Sequence, residues 1–217
     1  MSSNLNKRII TSIFLLILLY LMSIYTYILI ISLIIIMIVS WIEFYGLISK
    51  IFLKNKPKEK IIRFLSKVIC LLYLSCLVYL IIFIQIEKPE VSIIIFYSIL
   101  VSIMSDIGGL VVGKLFKGKK LTKISPNKTI SGSIGSLLFS ILLIPFFIHN
   151  FLNQNILSLL IITILISLIS QIGDLFISFL KRKAKVKDTS DILPGHGGLL
   201  DRIDGIIFAI PTGILLL

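Results

Sequence analysis

Asp174, Lys181, Arg182, Lys187, Asp188, His196, Asp201, Arg202 and Asp204 crowd into residues 174–204 of a chain that is otherwise mostly hydrocarbon. With Asp191, that stretch holds five of the ten acidic residues. Charge beside a membrane is expensive, so a dense mixed-charge cluster there marks a functional site. Carboxylates can supply the oxygen ligands that Mg²⁺ prefers. The bases can grip phosphates, arginine in bidentate fashion. Asp201 and Asp204 are three apart and share a face if a helix starts there. Pro194-Gly195-His196-Gly197-Gly198 reads as a tight turn whose glycines let backbone N–H groups approach an anion.

From Ser178 to Asp204 the sequence resembles, position for position, the signature of the phosphatidate cytidylyltransferase (CDP-diacylglycerol synthase) family. The matching residues are Ser178, Lys181, Arg182, Lys187, Asp188, Ser190, Leu193, Pro194, His196, Gly197, Gly198, Asp201, Arg202 and Asp204. The resemblance implies transfer of CMP from CTP to phosphatidate, giving CDP-diacylglycerol and pyrophosphate. The attacking group is then an ionised lipid phosphate, and no serine, cysteine or histidine nucleophile is required. Neutralising the substrates' charge is the main task, and the resemblance assigns it to Mg²⁺ held by Asp174, Asp201 and Asp204, leaving a monovalent co-ion open. Lys181, Arg182, Lys187 and Arg202 are expected on phosphates, Asp188 beside Lys187 or Arg182, and His196 as a donor to phosphate or a turn residue.

Two further elements carry a weaker resemblance. Asp106-Ile107-Gly108-Gly109 is similar to the family's Asp-[Ser/Thr]-x-small element, with Leu110 where an aromatic is usual. Ser125-Pro126-Asn127-Lys128-Thr129-Ile130-Ser131-Gly132 is similar to its S-P-x-K-T-aromatic-acid-G loop, with Ile130 and Ser131 as departures. Asp106, Ser125, Lys128, Thr129, Gly197 and Gly198 are therefore expected to bind substrate.

The helices that must position these groups are legible in the hydropathy. The chain has 217 residues, 57% of them hydrophobic, and a mean hydropathy of +1.09. That composition is an all-α, polytopic transmembrane helix bundle. We expect about seven membrane helices. Residues 9–42 carry no charge and are long enough for two, with a turn near Ser23–Thr26. Further helices are expected over about 68–86, 91–113, 132–148, 156–180 and 203–217. The net charge of +12 would point to nucleic acid in a soluble protein. Here the bases sit in loops between apolar runs, and no nucleic-acid partner is expected. With the N-terminus inside, 21 of the 22 Lys and Arg residues fall on the cytoplasmic side and Lys88 alone outside. Residues 1–90 are expected to form N-terminal membrane helices and 91–217 the catalytic part of one integral unit.

Two stripes point at the same end. Ser167, Ser170, Gln171, Asp174, Ser178 and Lys181 fall within about 100° of arc on one helix. Ser98, Ser102, Ser105, Asp106, Gly109 and Gly113 do so on another. Small polar residues are also the usual glue between membrane helices, which accounts for the serines but not for Asp174 and Lys181. The expected location is the cell inner membrane with the site facing the cytoplasm, the partners CTP, phosphatidate and membrane lipids, and a homodimer by resemblance alone. A CTP-dependent polyprenol kinase and an ion-coupled transporter remain as rivals.

Overall fold

In the computed structural model, residues 11, 13, 15, 17–52, 56–122, 125, 128–151, 155–195 and 197–217 are described. Among them regular structure is helical, and strand pairing is confined to two isolated bridges, Lys120 with Thr129 and Leu193 with Gly197. The helices are α1 (Thr26–Ile51), α2 (Pro57–Glu87), α3 (Ser92–Phe116), α4 (Ile130–Ile141), α5 (Ile144–Phe147), α6 (Ile156–Lys183), α7 (Leu200–Ile203) and α8 (Ile206–Leu216), with a 3₁₀ turn at Pro89–Val91. Among the described residues, five segments are long and apolar enough to cross a membrane: Thr26–Ile51, Pro57–Glu87, Pro89–Phe116, Ile130–Phe147 and Ile156–Lys183. The chain is a helical membrane protein. Its last apolar segment forms only the 11 residues of α8, about 16 Å at 1.5 Å per residue, against a hydrocarbon core of about 30 Å.

The turn expected near Ser23–Thr26 is present as the single extended residue Tyr25, with residues 17–24 helical before it. One boundary needs correction. Helix α2 starts at Pro57 instead of near 68, so most of the expected basic loop is helix. Proline fits the first helical position and Glu59 favours the positive end of the helix dipole. At 31 residues the helix is about 46 Å long, so lysines on its first turns need not enter hydrocarbon.

The chain folds as two compact units. One is Met1–Ile86 with Leu180–Arg202, and the other is Glu87–Phe179 with Ile203–Leu217. In the first, the Nε1–H of Trp41 donates to the Lys67 carbonyl at 3.2 Å. The Lys67 ammonium donates to Ser49 Oγ at 2.8 Å and sits 3.1 Å from the centre of the Tyr45 ring. A buried face of α1 runs through Ser40, Glu43, Phe44, Leu47 and Ile48.

In the second unit, Tyr97, Val101, Ile144, Phe147, Phe151, Leu159, Ile166 and Ala209 form one buried cluster. The Tyr97 ring packs against Phe147 and Phe151 at 5.0 and 5.3 Å between centroids. Its hydroxyl shares a hydrogen bond with Thr163, as a buried phenol requires. The stripes meet here: Ser102 with Ser170 at 2.7 Å and Ser105 with Ser167 at 3.0 Å. Helices α3 and α4 cross at glycines. A Cβ at Gly108 would overlap the Gly135 carbonyl oxygen, and one at Gly135 would overlap the Val112 side chain. The stripe of small residues is thus helix–helix packing, with the acids at its end left for another purpose.

The crossing yields a paired prediction. Gly108→Ala should destabilise the protein by about 1–3 kcal/mol through overpacking. Gly46→Ala, where a Cβ meets nothing within 4 Å, should be neutral or gain up to about 1 kcal/mol of helix propensity. Thermal unfolding in detergent checks both; equal midpoints for the two variants would show that the close approach is not real.

Candidate active site

The signature segment begins on the last turn of α6, where Lys181, Arg182 and Lys183 gather at the negative end of the helix dipole. The helix is closed by a Schellman turn. The Val186 N–H donates to the Lys181 carbonyl and the Lys185 N–H to that of Arg182, with Lys185 in the left-handed region at φ 57°. This turn reverses the chain and sends 186–199 back over the helix end.

Lys181 meets Asp201 there. Its ammonium donates to Oδ1 at 2.6 Å, with side-chain exposures of 15% and 6%. Oδ2 of Asp201 accepts from the Thr189 N–H at 2.8 Å, the Thr189 hydroxyl at 3.0 Å and the Gly198 N–H at 3.1 Å. Burial alone would raise this carboxyl, but Lys181 and the two backbone N–H groups outweigh it and hold Asp201 below the usual carboxylate range. Arg182, Lys187, Asp188 and Arg202 are exposed.

The expected tight turn forms between Leu193 and Gly197, each donating its N–H to the other's carbonyl at 2.9 and 3.1 Å. Gly197 sits at φ 83°, a conformation that favours glycine. One expectation changes. The glycine N–H groups expected to approach an anion are engaged within the chain: those of Gly197 and Gly198 donate to the Leu193 carbonyl and to Asp201. His196 lies outside the described residues.

Sequence reasoning missed the residue with most contacts to this loop. Glu43, on α1, is 3% exposed. Its Oε1 accepts from the Ser190 hydroxyl at 2.5 Å and the Leu199 N–H at 2.9 Å. Its Oε2 accepts from the Thr189 hydroxyl at 2.8 Å and the Leu200 N–H at 2.7 Å. The one signal in the sequence is a lone carboxylate in an apolar run, and the neighbouring Trp41 and Tyr45 suit a membrane interface equally well.

The second unit holds an acidic cluster. Asp174 accepts from the Lys128 ammonium and from the Ser178 hydroxyl at 3.3 Å. Asp204 is 7% exposed, and its Oδ1 accepts from the Gly205 N–H at 2.9 Å. It lies outside the five spans. Burial, the charges of Asp174 and Asp106, and a hydrogen bond with the Asp174 carboxyl push Asp204 up to about 8. Asp106 is exposed on α3. Gly173 gives the approach room, since a Cβ there would come 2.8 Å from the Asp204 carbonyl oxygen.

Lys128 and Thr129 are positioned by one small structure. The Leu121 N–H donates to the Lys128 carbonyl and the Ile130 N–H to that of Lys119. Thr129 caps α4, accepting from the Gly132 N–H at 3.0 Å. Ser131 accepts from the Gly118 N–H at 3.3 Å. Ser125 accepts the Lys128 N–H at its carbonyl, at 3.1 Å. So Lys128, Asp174, Asp204 and Asp106 are brought together in one unit, and Lys181, Asp201, Thr189 and Gly198 in the other. Among the described residues, no three His, Cys, Asp or Glu side chains converge tightly enough to cage a metal by themselves.

Comparison with known proteins places these features in a family. The family model described as the cytidylyltransferase family matches residues 2–217. A phosphatidate cytidylyltransferase of Rickettsia typhi is 43% identical over 134 residues, covering 58% of this chain and 58% of that protein. One of Staphylococcus haemolyticus is 45% identical over 126 residues, covering 57% and 48%. One of Rickettsia prowazekii is 43% identical over 142 residues, covering 61% of each. The chain therefore spans about half to three-fifths of the length of the relatives it matches. A match over nearly every residue, with the charged signature folded around Lys181 and Asp201, means that this chain belongs to the cytidylyltransferase family.

Proposed function

We propose that the chain transfers CMP from CTP to phosphatidate, releasing pyrophosphate and forming CDP-diacylglycerol. The intact signature over 178–204, folded around the Lys181–Asp201 pair, carries this reading. The named relatives support it. The lipid phosphate oxygen forms a bond to the α-phosphorus of CTP as the bond from that phosphorus to the β-phosphate bridge breaks. No proton need move, because the nucleophile is already ionised. The chain's work is to bring two anions together and to balance the leaving pyrophosphate.

The donor set fits a divalent ion. Asp174 and Asp204 are carboxyls in hydrogen-bond contact, beside Asp106, in a cluster with too few cations for its charge. Mg²⁺ takes one or two carboxylates and completes its shell with water and substrate phosphates, and the Asp174 and Asp204 pair offers that number. Bound on Asp174 and Asp204, it would neutralise charge on the CTP phosphates. The resemblance also implies Asp201 as a ligand, but both of its oxygens already accept hydrogen bonds from Lys181, Thr189 and Gly198, so its proposed part is to hold its own loop. Lys181 is presented by Asp201, while the exposed Arg182, Lys187 and Arg202 hold phosphate oxygens. Lys128 balances Asp174 until substrate arrives. Ser125 and Thr129 order the loop that carries Lys128. Asp188 lies beneath Gly197, 3.3 Å from where a Cβ would stand, and steers Lys187. The protein is proposed to sit in the inner membrane with its basic segments toward the cytoplasm, where CTP is found.

The test uses purified protein with phosphatidate, labelled CTP and Mg²⁺, following pyrophosphate and lipid-linked cytidine together. Both should appear in equal amounts and vanish with EDTA. Asp174→Asn, Asp204→Asn and Lys181→Ala should each lose roughly 100-fold or more in kcat/KM, the scale of one electrostatic contact to developing charge. CDP without lipid-linked cytidine would instead identify a CTP-dependent lipid kinase.

Asp204 also gives a pH prediction. Its folded value of about 8 lies far above the unfolded value of about 3.9. The folded state thus holds a proton that the unfolded state has released, and stability is lost as pH rises through about 8. In EDTA, the melting temperature of the wild type should fall between pH 6 and pH 9. Asp204→Asn should flatten that slope while abolishing turnover. Mg²⁺ should stabilise the wild type more at pH 9 than at pH 6, since binding must displace the proton. A wild-type slope unchanged by the substitution would remove Asp204 from the account.

A further inference from the structure

We infer that Glu43 is the internal anion around which the signature loop is folded, and so a positioning residue for the proposed reaction, on which reading this inference rests. Four donors converge on one carboxylate: the Thr189 and Ser190 hydroxyls and the Leu199 and Leu200 N–H groups. They come from both ends of the loop 189–200, so a single side chain closes it. Two successive backbone N–H groups on one anion is the arrangement by which loops commonly hold phosphate. Here the protein supplies the anion itself.

The loop is shaped to admit this carboxylate. A Cβ at Gly198 would overlap the Thr189 hydroxyl and lie 2.7 Å from Glu43 Oε2. Glycine at 198 is therefore required by the Glu43–Thr189 contact, independently of any ligand. Thr189 then links the two carboxylates of this unit, since its hydroxyl reaches Glu43 at 2.8 Å and Asp201 at 3.0 Å. Asp201 in turn holds Lys181. The sequence of contacts Glu43, Thr189, Asp201, Lys181 ties a residue on α1 to a base of the signature. Glu43 touches none of the reacting groups proposed above; it acts through the loop.

Charge and shape can be separated by substitution. Glu43→Gln keeps the volume but turns one oxygen into an N–H₂ facing the N–H of Leu199 or Leu200, a donor against a donor. Glu43→Asp keeps the anion and shortens its reach. If Glu43 anchors the loop as an acceptor, Glu43→Asp retains more activity than Glu43→Gln. If it merely fills space, the order reverses. The experiment measures kcat/KM for CTP on the full chain in detergent with phosphatidate and Mg²⁺. Backbone hydrogen exchange of peptides covering 189–200 is followed in parallel, with Gly46→Ala as a control on the same helix.

The expected result is a loss of roughly 10–100-fold for Glu43→Gln, less for Glu43→Asp, and faster exchange confined to 189–200. Wild-type kinetics and exchange in Glu43→Gln would overturn the inference. So would tighter CTP binding in that variant, which would make Glu43 a competitor of the substrate phosphate for the loop N–H groups. Should the wild type form no CDP-diacylglycerol, the exchange measurement still reports on the anchor, so the two readings fail separately.

Discussion

A buried carboxylate must be answered by donors, because little water reaches it beside a membrane. That constraint orders the acids of this chain. Glu43 accepts four hydrogen bonds and Asp201 accepts four. Both are fully engaged by the chain, and both hold a loop in place. Asp174 accepts from one ammonium and one hydroxyl. Asp204 has a backbone N–H and a hydrogen bond shared with the Asp174 carboxyl, with Asp106 as a further like charge. The less the chain satisfies an acid, the more it needs something from outside. Satisfaction thus separates the acids that hold a loop, Glu43 and Asp201, from Asp174 and Asp204, the two to which the proposed reading gives a cation.

The same constraint explains the serines. Each Ser–Ser pair in the second unit satisfies two hydroxyls without water and draws helices close enough for glycine to be needed at Gly108 and Gly135. Ser136 does likewise by donating to the Ser105 carbonyl at 2.7 Å. Close packing of this kind leaves little freedom along α3 and α6, where Asp106 and Asp174 follow the paired serines within the helices. The rigidity that small residues give the helices is what fixes the acidic cluster on them.

Much of this was legible in the chain itself. The long apolar runs became the five long helices, because a lipid-facing helix has a strong and local signature. The serine stripes met their partners because periodicity fixes the face. The turn at Leu193–Gly197 followed from its glycines. What was hidden depended on tertiary contact. Nothing near Glu43 in sequence announces donors at 189 to 200. The resemblance implies Asp201 as a metal ligand, and nothing near it in sequence shows that Lys181 and Thr189 surround it. The start of α2 was misplaced because a lysine-rich segment reads as loop when a helix is assumed to end with its hydrocarbon span.

The departures at Leu110, Ile130 and Ser131 can be judged from their surroundings. Leu110 is 61% exposed and Ile130 46% exposed, so neither apolar side chain fills a buried socket that an aromatic would be needed to fit. Ser131 stands where an acid is usual in the family resemblance, and its hydroxyl still accepts from the Gly118 N–H. The hydrogen bond that shapes the loop survives; the negative charge does not. The surrounding segment carries Lys114, Lys117, Lys119, Lys120 and Lys128. Removing one anion there makes that segment more positive. With serine in its place, Lys128 is committed to Asp174, and the acidic cluster gains its counter-charge from that one loop.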